Sequence, residues 1–301
     1  MAQIPSSQSA LSWTIVGKGA IGLLAACRLT LANYPIGLWL RQPLAVYSQF
    51  KGQQFRFTPA VTPLNAVLIP VKSYAVIDAI KGLLPFLTSN AQLVISHNGM
   101  GTISQILPLL QPDQGLWFLT TTHGALKQGV NLFHTGNGQS VLAPLNTAAK
   151  QQSSVVHRAM DDALGPVITT ENIEPFLWQK LAVNAVINPL TAIHNCSNGA
   201  LAEARFQPLL DALVLEVCQI ASAEGVVLEP TQIQQNVRQV IRNTAENYSS
   251  MQQDIVHQRR TEINAINGFI VQQARHYGIT VPHNENLLQQ VLELENRPYG
   301  R

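Results

Sequence analysis

The run Gly17-Lys18-Gly19-Ala20-Ile21-Gly22 constrains this chain more than any other stretch. An apolar strand candidate at residues 12–16 precedes it, and an alanine- and leucine-rich helix candidate follows it to about Leu31. In that setting the first glycine permits a tight turn and the second lets the backbone approach a pyrophosphate. The third lets helix and strand pack closely, and the N–H groups at the helix start hold phosphates. Gly17, Lys18, Gly19, Ala20, Ile21 and Gly22 are therefore read as a dinucleotide-binding loop, with a merely structural glycine turn as the competing reading.

Residues 1–11 are polar and read as an extension before the first strand. Further strands are expected at residues 36–40, 66–71 and 92–96, with a helix at 74–87 between the last two. This alternation calls for a parallel sheet with helices on both faces. Short β-type runs at 117–122, 130–134 and 140–142 are expected to extend the same sheet with antiparallel strands. A helix at 147–164 and a strand at 167–169 close this half. From about Glu174 the pattern is helical, punctuated by Pro189, Gly199, Pro208, Gly225, Pro230, Gly278 and Pro282. At about 150 residues per domain, the 301 residues divide into two domains, residues 1–172 and 173–301. The expected fold class is an α/β amino-terminal domain followed by an all-α carboxyl-terminal domain.

Charge is scarce and unevenly placed. Charged residues make up 12% of the chain and hydrophobic residues 46%, a balance that excludes a disordered chain. The net charge of +2 argues against a nucleic-acid partner. The first carboxylate is Asp78, and before it stand six basic side chains, Lys18, Arg28, Arg41, Lys51, Arg56 and Lys72. The apolar amino-terminal quarter is thus built around something negative. Arg41 follows Gly22 by 19 residues, at the end of the second strand, where an NAD site usually carries an acid. A guanidinium there can fork onto a 2′-phosphate, and Lys72, at the end of the next strand, adds charge. NADP is expected over NAD; the plain alternative is a solvated strand-end arginine.

Cys27, Cys196 and Cys218 are odd in number and widely spaced, so a reducing, cytoplasmic setting is expected. The eight histidines show no metal-ligand spacing, and no metal site is expected. Leu24-Ala25-Ala26-Cys27 resembles a lipoprotein cleavage box, but Lys18 interrupts the apolar run before it and no basic segment leads it. No stretch matches an uncharged spanning helix of about 18 residues, and no membrane partner is expected.

In the helical half, Lys180, Asn184 and Asn188 stand four residues apart. On a helix such positions drift by only about 40° per step and share one face. Their neighbours are apolar, and buried unpaired amides and ammonium groups are costly. The stripe therefore points at a cleft, unless the asparagines bond local backbone and the lysine snorkels. A second polar run spans residues 247–263. Ser250 with Gln253 has capping-box spacing, so Ser250 is read as a helix N-cap, a ligand contact, or both. Glu262 is read as a surface charge or as a carboxylate facing Lys180.

Together these stretches resemble the ketopantoate reductase family. The resemblance rests on residues 17–22, His97-Asn98-Gly99-Met100-Gly101-Thr102, Thr120-Thr121-Thr122-His123-Gly124-Ala125, residues 178–193 and residues 247–268, in family order along nearly the whole chain. It implies a Rossmann-like NADP-binding domain and a helical substrate and catalytic domain. Carried over by position, Lys180 resembles the catalytic lysine and Glu262 the catalytic glutamate. Asn98, Asn184, Asn188 and Ser250 resemble substrate contacts, Asn98 also a cofactor contact, and Arg41 and Lys72 match positions near the NADP 2′-phosphate. Lys18 inside the loop departs from the family's usual choice. The implied activity is NADPH-dependent reduction of 2-dehydropantoate to (R)-pantoate, on the route to pantothenate and coenzyme A. The alternatives are a related NADP-dependent dehydrogenase of another small keto acid and a non-catalytic NADP-sensing protein. A homodimer is the assembly to be tested.

Overall fold

The structure, a computed structural model, describes residues 11–297; residues 1–10, most of the polar extension, lie outside the described residues. The chain forms two compact units. One runs to His97 and again from Ser104 to Ile173; the other joins Asn98–Ile103 to the chain from Glu174 onward.

The first unit is built on β1 (Trp13–Val16), α1 (Ala20–Leu31), β2 (Ile36–Trp39), β3 (Val46–Phe50), β4 (Gln53–Pro59), β5 (Leu64–Ile69), α2 (Val76–Leu83) and β6 (Leu87–Ile95). After the single turn α3 (Ile103–Ile106) come β7 (Gly115–Thr121), β8 (Gly124–Gln128), β9 (Asn131–Gly136) and β10 (Ser140–Pro144). The helices α4 (Thr147–Lys150) and α5 (Ser153–Leu164) and the strand β11 (Val167–Thr169) complete it. All four residues of β1 are buried, as expected of a central parallel strand covered on both faces. The sheet runs β11-β10-β7-β6-β5-β1-β2-β4-β3-β9-β8. β1 pairs in parallel with both β2 and β5, so the strand order reverses beside β1. That reversal is where open α/β sheets bind ligands.

Several expectations change. Residues 46–59 form a hairpin, β3 with β4, that had not been read from the sequence. The helix expected at 74–87 is only Val76–Leu83 with short 3₁₀ turns at each end, and β6 is correspondingly longer. The helix expected at 147–164 is broken at Gln151 and Gln152. Of the strands expected to extend the sheet, β10 pairs antiparallel with β7. The β8–β9 hairpin instead joins the opposite end, where β9 meets β3 through Gln49 and Asn131. The Leu24–Cys27 box lies wholly buried inside α1.

The second unit packs α6 (Glu174–His194), α7 (Gln207–Ala223), α8 (Pro230–Asn243), α9 (Ser250–Val256), α10 (Asn267–Tyr277) and α11 (Pro282–Asn296) into one core. The stretch Ala204–Ala223 is the one described helix long and apolar enough by composition to cross a membrane. Half of it is buried within the protein, and it carries Asp211 and Glu216.

α6 is the central helix, packed against α7, α8, α9 and α11, and it contains Pro189. Proline has no N–H, so the Ala185 carbonyl, four residues back, loses its helical donor. Asn267 supplies the replacement, its Nδ2 donating to the Ala185 carbonyl at 2.9 Å. The same nitrogen donates to Asn284 Oδ1 at 3.0 Å, and Asn284 Nδ2 donates to Glu216 Oε2 at 2.7 Å. Glu216 also accepts the backbone N–H groups of His283 and Asn284, a favourable place for a carboxylate at the start of α11. Asn267 and Asn284 are both fully buried.

Asn267→Ala is therefore expected to destabilise the protein by about 1–3 kcal/mol, because it strands a buried carbonyl. In a Pro189→Ala background, which restores the backbone donor, the loss should be smaller. Urea unfolding of the four proteins of this cycle measures the difference; equal losses in both backgrounds would sink the link.

Candidate active site

The second unit gathers the polar residues singled out in the sequence. Trp178 and Leu181 anchor the first turns of α6 in the core, which leaves Lys180 and Asn184 half-buried, while Asn188 is buried. Asn184 and Asn188 make no side-chain hydrogen bond to another described residue, so local backbone does not absorb their amides. Lys180 is surrounded closely enough that burial pulls its ammonium down to about 8, and the Glu262 carboxylate opposes the fall.

Glu262 is no surface charge: it is 4% exposed. It sits just before the short 3₁₀ turn Ile263–Ala265, and its carbonyl accepts from the Ala265 and Ile266 N–H groups. Asn98 Nδ2 donates to Glu262 Oε2 at 3.1 Å. The Asn98 loop is seated by the Met100 N–H, which donates to the Ala265 carbonyl at 3.0 Å. Between them Gly99 has φ +80°, and a Cβ there would lie 2.3 Å from the Ala265 oxygen. Only glycine allows this approach, so Asn98 reaches Glu262 because its neighbour has no side chain. Phe269 packs against Trp178 at 5.8 Å between ring centroids.

Ser250 requires a correction. The N-cap of α9 is Ser249, whose Oγ accepts from the Gln252 N–H at 3.1 Å; Ser250 is the first helical residue and is exposed. Both serines precede a glutamine by three residues, and tertiary contact decides between them, since Thr191 Oγ1 donates to Ser249 Oγ at 2.7 Å. Gln252 does not close a capping box. Its side chain donates to Asn195 instead.

In the first unit, the glycine loop follows β1 at the reversal of strand order. Gly17 has φ +85°, and a Cβ on Gly22 would press on Pro70 and Ile15 at 3.0 and 3.3 Å. Gly19 faces open space and forms the N-cap of α1 without a side-chain cap and without an acid in the first turn. Ala20 and Ile21 open that turn. The uncapped N–H groups, the helix dipole and the room around Gly19 suit a pyrophosphate. Lys18 is exposed and near enough to Lys127 on β8 to depress that lysine, after burial. Arg41 is exposed two residues past β2, and Lys72 stands three past β5 at the start of a 3₁₀ turn. The residues read from the sequence as dinucleotide contacts thus lie in one unit, Asn98 excepted, and Lys180, Glu262, Asn98, Asn184, Asn188 and Ser250 in the other.

Sequence reasoning missed Asn267. A proline inside a helix signals that some donor must reach the carbonyl four residues back, but not which residue provides it.

Two sequence profiles match the chain. The one described as "Ketopantoate reductase PanE/ApbA" covers residues 13–147, and "Ketopantoate reductase PanE/ApbA C terminal" covers residues 172–295. A 2-dehydropantoate 2-reductase of Vibrio cholerae serotype O1 is 40% identical over 93% of this chain and 97% of its own. Among solved structures, a dimeric ketopantoate reductase from Staphylococcus aureus superposes with a TM-score of 0.81 at 23% identity, covering 95% of this chain and 99% of that one. A D-mandelate dehydrogenase with NADH and anilino(oxo)acetate gives 0.85 at 18% identity over the same shares; at these identities the two structures speak for the fold.

Glu262→Gln should move the Lys180 titration to lower pH, because the carboxylate is what holds the ammonium up against desolvation. Lysine-selective NMR across the range from neutral to pH 10 measures this; an unmoved midpoint would separate the two groups.

Proposed function

For a chain that belongs to the ketopantoate reductase family, we propose NADPH-dependent reduction of 2-dehydropantoate to (R)-pantoate, the reductive step toward pantothenate and coenzyme A. The observation that carries the reading is the pairing, in the second unit, of a half-buried lysine with a buried carboxylate. Lys180 is held near 8 by burial, and its partner Glu262 is fixed by Asn98.

Gly17, Lys18, Gly19, Ala20, Ile21 and Gly22 would hold the pyrophosphate of NADP(H), with Arg41 and Lys72 serving the 2′-phosphate and Asn98 a further contact. The loop fits that group: its helix start is uncapped and Gly19 has nothing within 4 Å of where a side chain would begin. When bound, NADPH supplies the hydride.

Lys180 meets the negative charge that grows on the ketone oxygen and gives it a proton as general acid. An ammonium near 8 remains mostly protonated at neutral pH, yet parts with its proton more readily than an ordinary lysine at 10.5. Glu262 keeps the lysine charged and in place and accepts from the substrate hydroxyl. Asn184 and Asn188 offer amides uncommitted to other described residues for the substrate's carbonyl and hydroxyl groups. The exposed Ser250 donates to the substrate carboxylate. The partners are this small keto acid and, as assembly, a second copy of the chain, as in the Staphylococcus aureus relative. All three cysteines are unpaired, which suits a reducing cytoplasm.

The test is NADPH oxidation with ketopantoate and a panel of other 2-keto acids. Lys180→Ala should lower kcat by roughly 10²–10⁴-fold with NADPH binding little changed, and the wild-type kcat should decline as pH rises above about 8. A kcat within about threefold of wild type would remove Lys180 as the acid.

Arg41→Glu tests cofactor choice. Loss of a charge-assisted hydrogen bond costs about 1.5–3 kcal/mol, or roughly 10–150-fold in NADPH affinity, and the new carboxylate repels the phosphate besides. NADH use should hold or improve, since a glutamate at this strand end can accept from the ribose hydroxyls. An unmoved NADPH/NADH ratio of kcat/KM leaves the choice to Lys72 or another group.

A further inference from the structure

The first unit holds a cavity of about 260 Å³ that the proposed reaction does not use. Arg28, Phe50, Lys51, His123, His134, Asn137 and the backbone around Gly138 line it. Arg28 lies in the last turn of α1, eight residues beyond Ala20 and so roughly 12 Å along the helix from the glycine loop.

The two histidines are locked together. His123 Nδ1 accepts from the Gly138 N–H at 3.1 Å, and its Nε2 lies 3.0 Å from the Leu164 carbonyl, so the ring proton is on Nε2. The remaining contact to Nδ1, from His134 Nε2 at 2.9 Å, is therefore an N–H donated by His134. Burial holds His123 below the usual imidazole range, and Arg28 adds to this. His134 is lowered by burial first, then by His123, Arg28 and Lys51. Arg28 and Lys51 thus line the same cavity as an imidazole pair that burial first, and these basic side chains second, push toward the uncharged form.

Neither Arg28 nor Lys51 enters an ion pair among the described residues. Asp162 borders the adjoining hollow, but its carboxylate accepts from the Tyr34 hydroxyl at 3.1 Å. Lys51 is also held in a left-handed conformation, φ +50°, which lysine seldom adopts. It places its ammonium 5.6 Å over the Phe50 ring at the cavity wall.

We infer that this cavity is a binding site for a phosphate dianion, free or as a small monoester, held by Arg28 and Lys51 and by the amide of Asn137. Its volume equals roughly eight or nine waters at about 30 Å³ each, more than orthophosphate alone fills. A dianion offsets both cations at once, which no described side chain of the unit does.

The test uses the enzyme saturated with NADPH, so that the cofactor's own phosphate positions are filled. Calorimetric titrations with inorganic phosphate and with glycerol phosphate are compared with sodium chloride at equal ionic strength. Saturable binding is expected, weakened about tenfold or more by Arg28→Gln and by Lys51→Gly, the usual consequence of losing a charge-assisted contact. Glycine suits the conformation at position 51, so Lys51→Gly should melt at or above the wild-type temperature and reduce its keto acid at the wild-type rate. Tighter binding of glycerol phosphate assigns the site to a monoester; equal binding assigns it to free phosphate. Heat that chloride reproduces, binding that both variants keep, or the absence of phosphate binding to the NADPH-saturated enzyme would overturn the assignment.

Discussion

A proline inside a central helix sets the terms for the second unit. Pro189 lies one residue past Asn188 and leaves the carbonyl of Ala185, one residue past Asn184, without its helical donor. A buried, unpaired carbonyl costs enough to melt a turn. The turn survives because Asn267 reaches across from α10, and Asn267 is held in turn by Asn284 and Glu216. Four helices are thereby tied at the level where α6 presents its asparagines. A buried polar network thus holds the same stretch of α6 that carries Asn184 and Asn188, the kind of support that preorganises side chains without stiff loops.

Charge scarcity follows a similar logic. Away from bulk water, each buried ionisable group acts on its neighbours with little dielectric screening. Lys180 is depressed by burial and rescued by a single carboxylate; His123 and His134 are both lowered from the ordinary imidazole range by burial first, with Arg28 adding to each.

Much of the fold was legible in the sequence. The glycine loop, the parallel strands and α6 with its polar stripe follow from periodicities of two and 3.6 and from glycine spacing. What escaped has identifiable causes. The β3–β4 hairpin alternates clearly on both arms, but its turn is Lys51-Gly52, where a hairpin usually shows asparagine or aspartate before glycine. The site of the β8–β9 hairpin is non-local, since nothing near residues 124–136 says that β9 will lie beside β3. Ser249 and Ser250 have identical local signals, and a hydroxyl from α6 selects the first. For the candidate site, the stripe residues were visible as a pattern. The burial of Glu262 and its bond to Asn98 depend on a loop some 160 residues away in sequence.

That loop has an architectural consequence. The chain leaves the α/β unit at His97, lends the six residues Asn98–Ile103 to the helical unit and then returns for another seventy. The helical unit is consequently discontinuous in sequence. A fragment cut at Glu174 would keep all its helices yet lose Asn98, the hydrogen bond from Met100 and the glycine that lets the two backbones meet. Exchanging whole halves between relatives would pair the glutamate with a foreign loop. The two units must therefore be inherited as one piece: the α/β stretch of the sequence encodes the loop that seats the helical unit's buried glutamate.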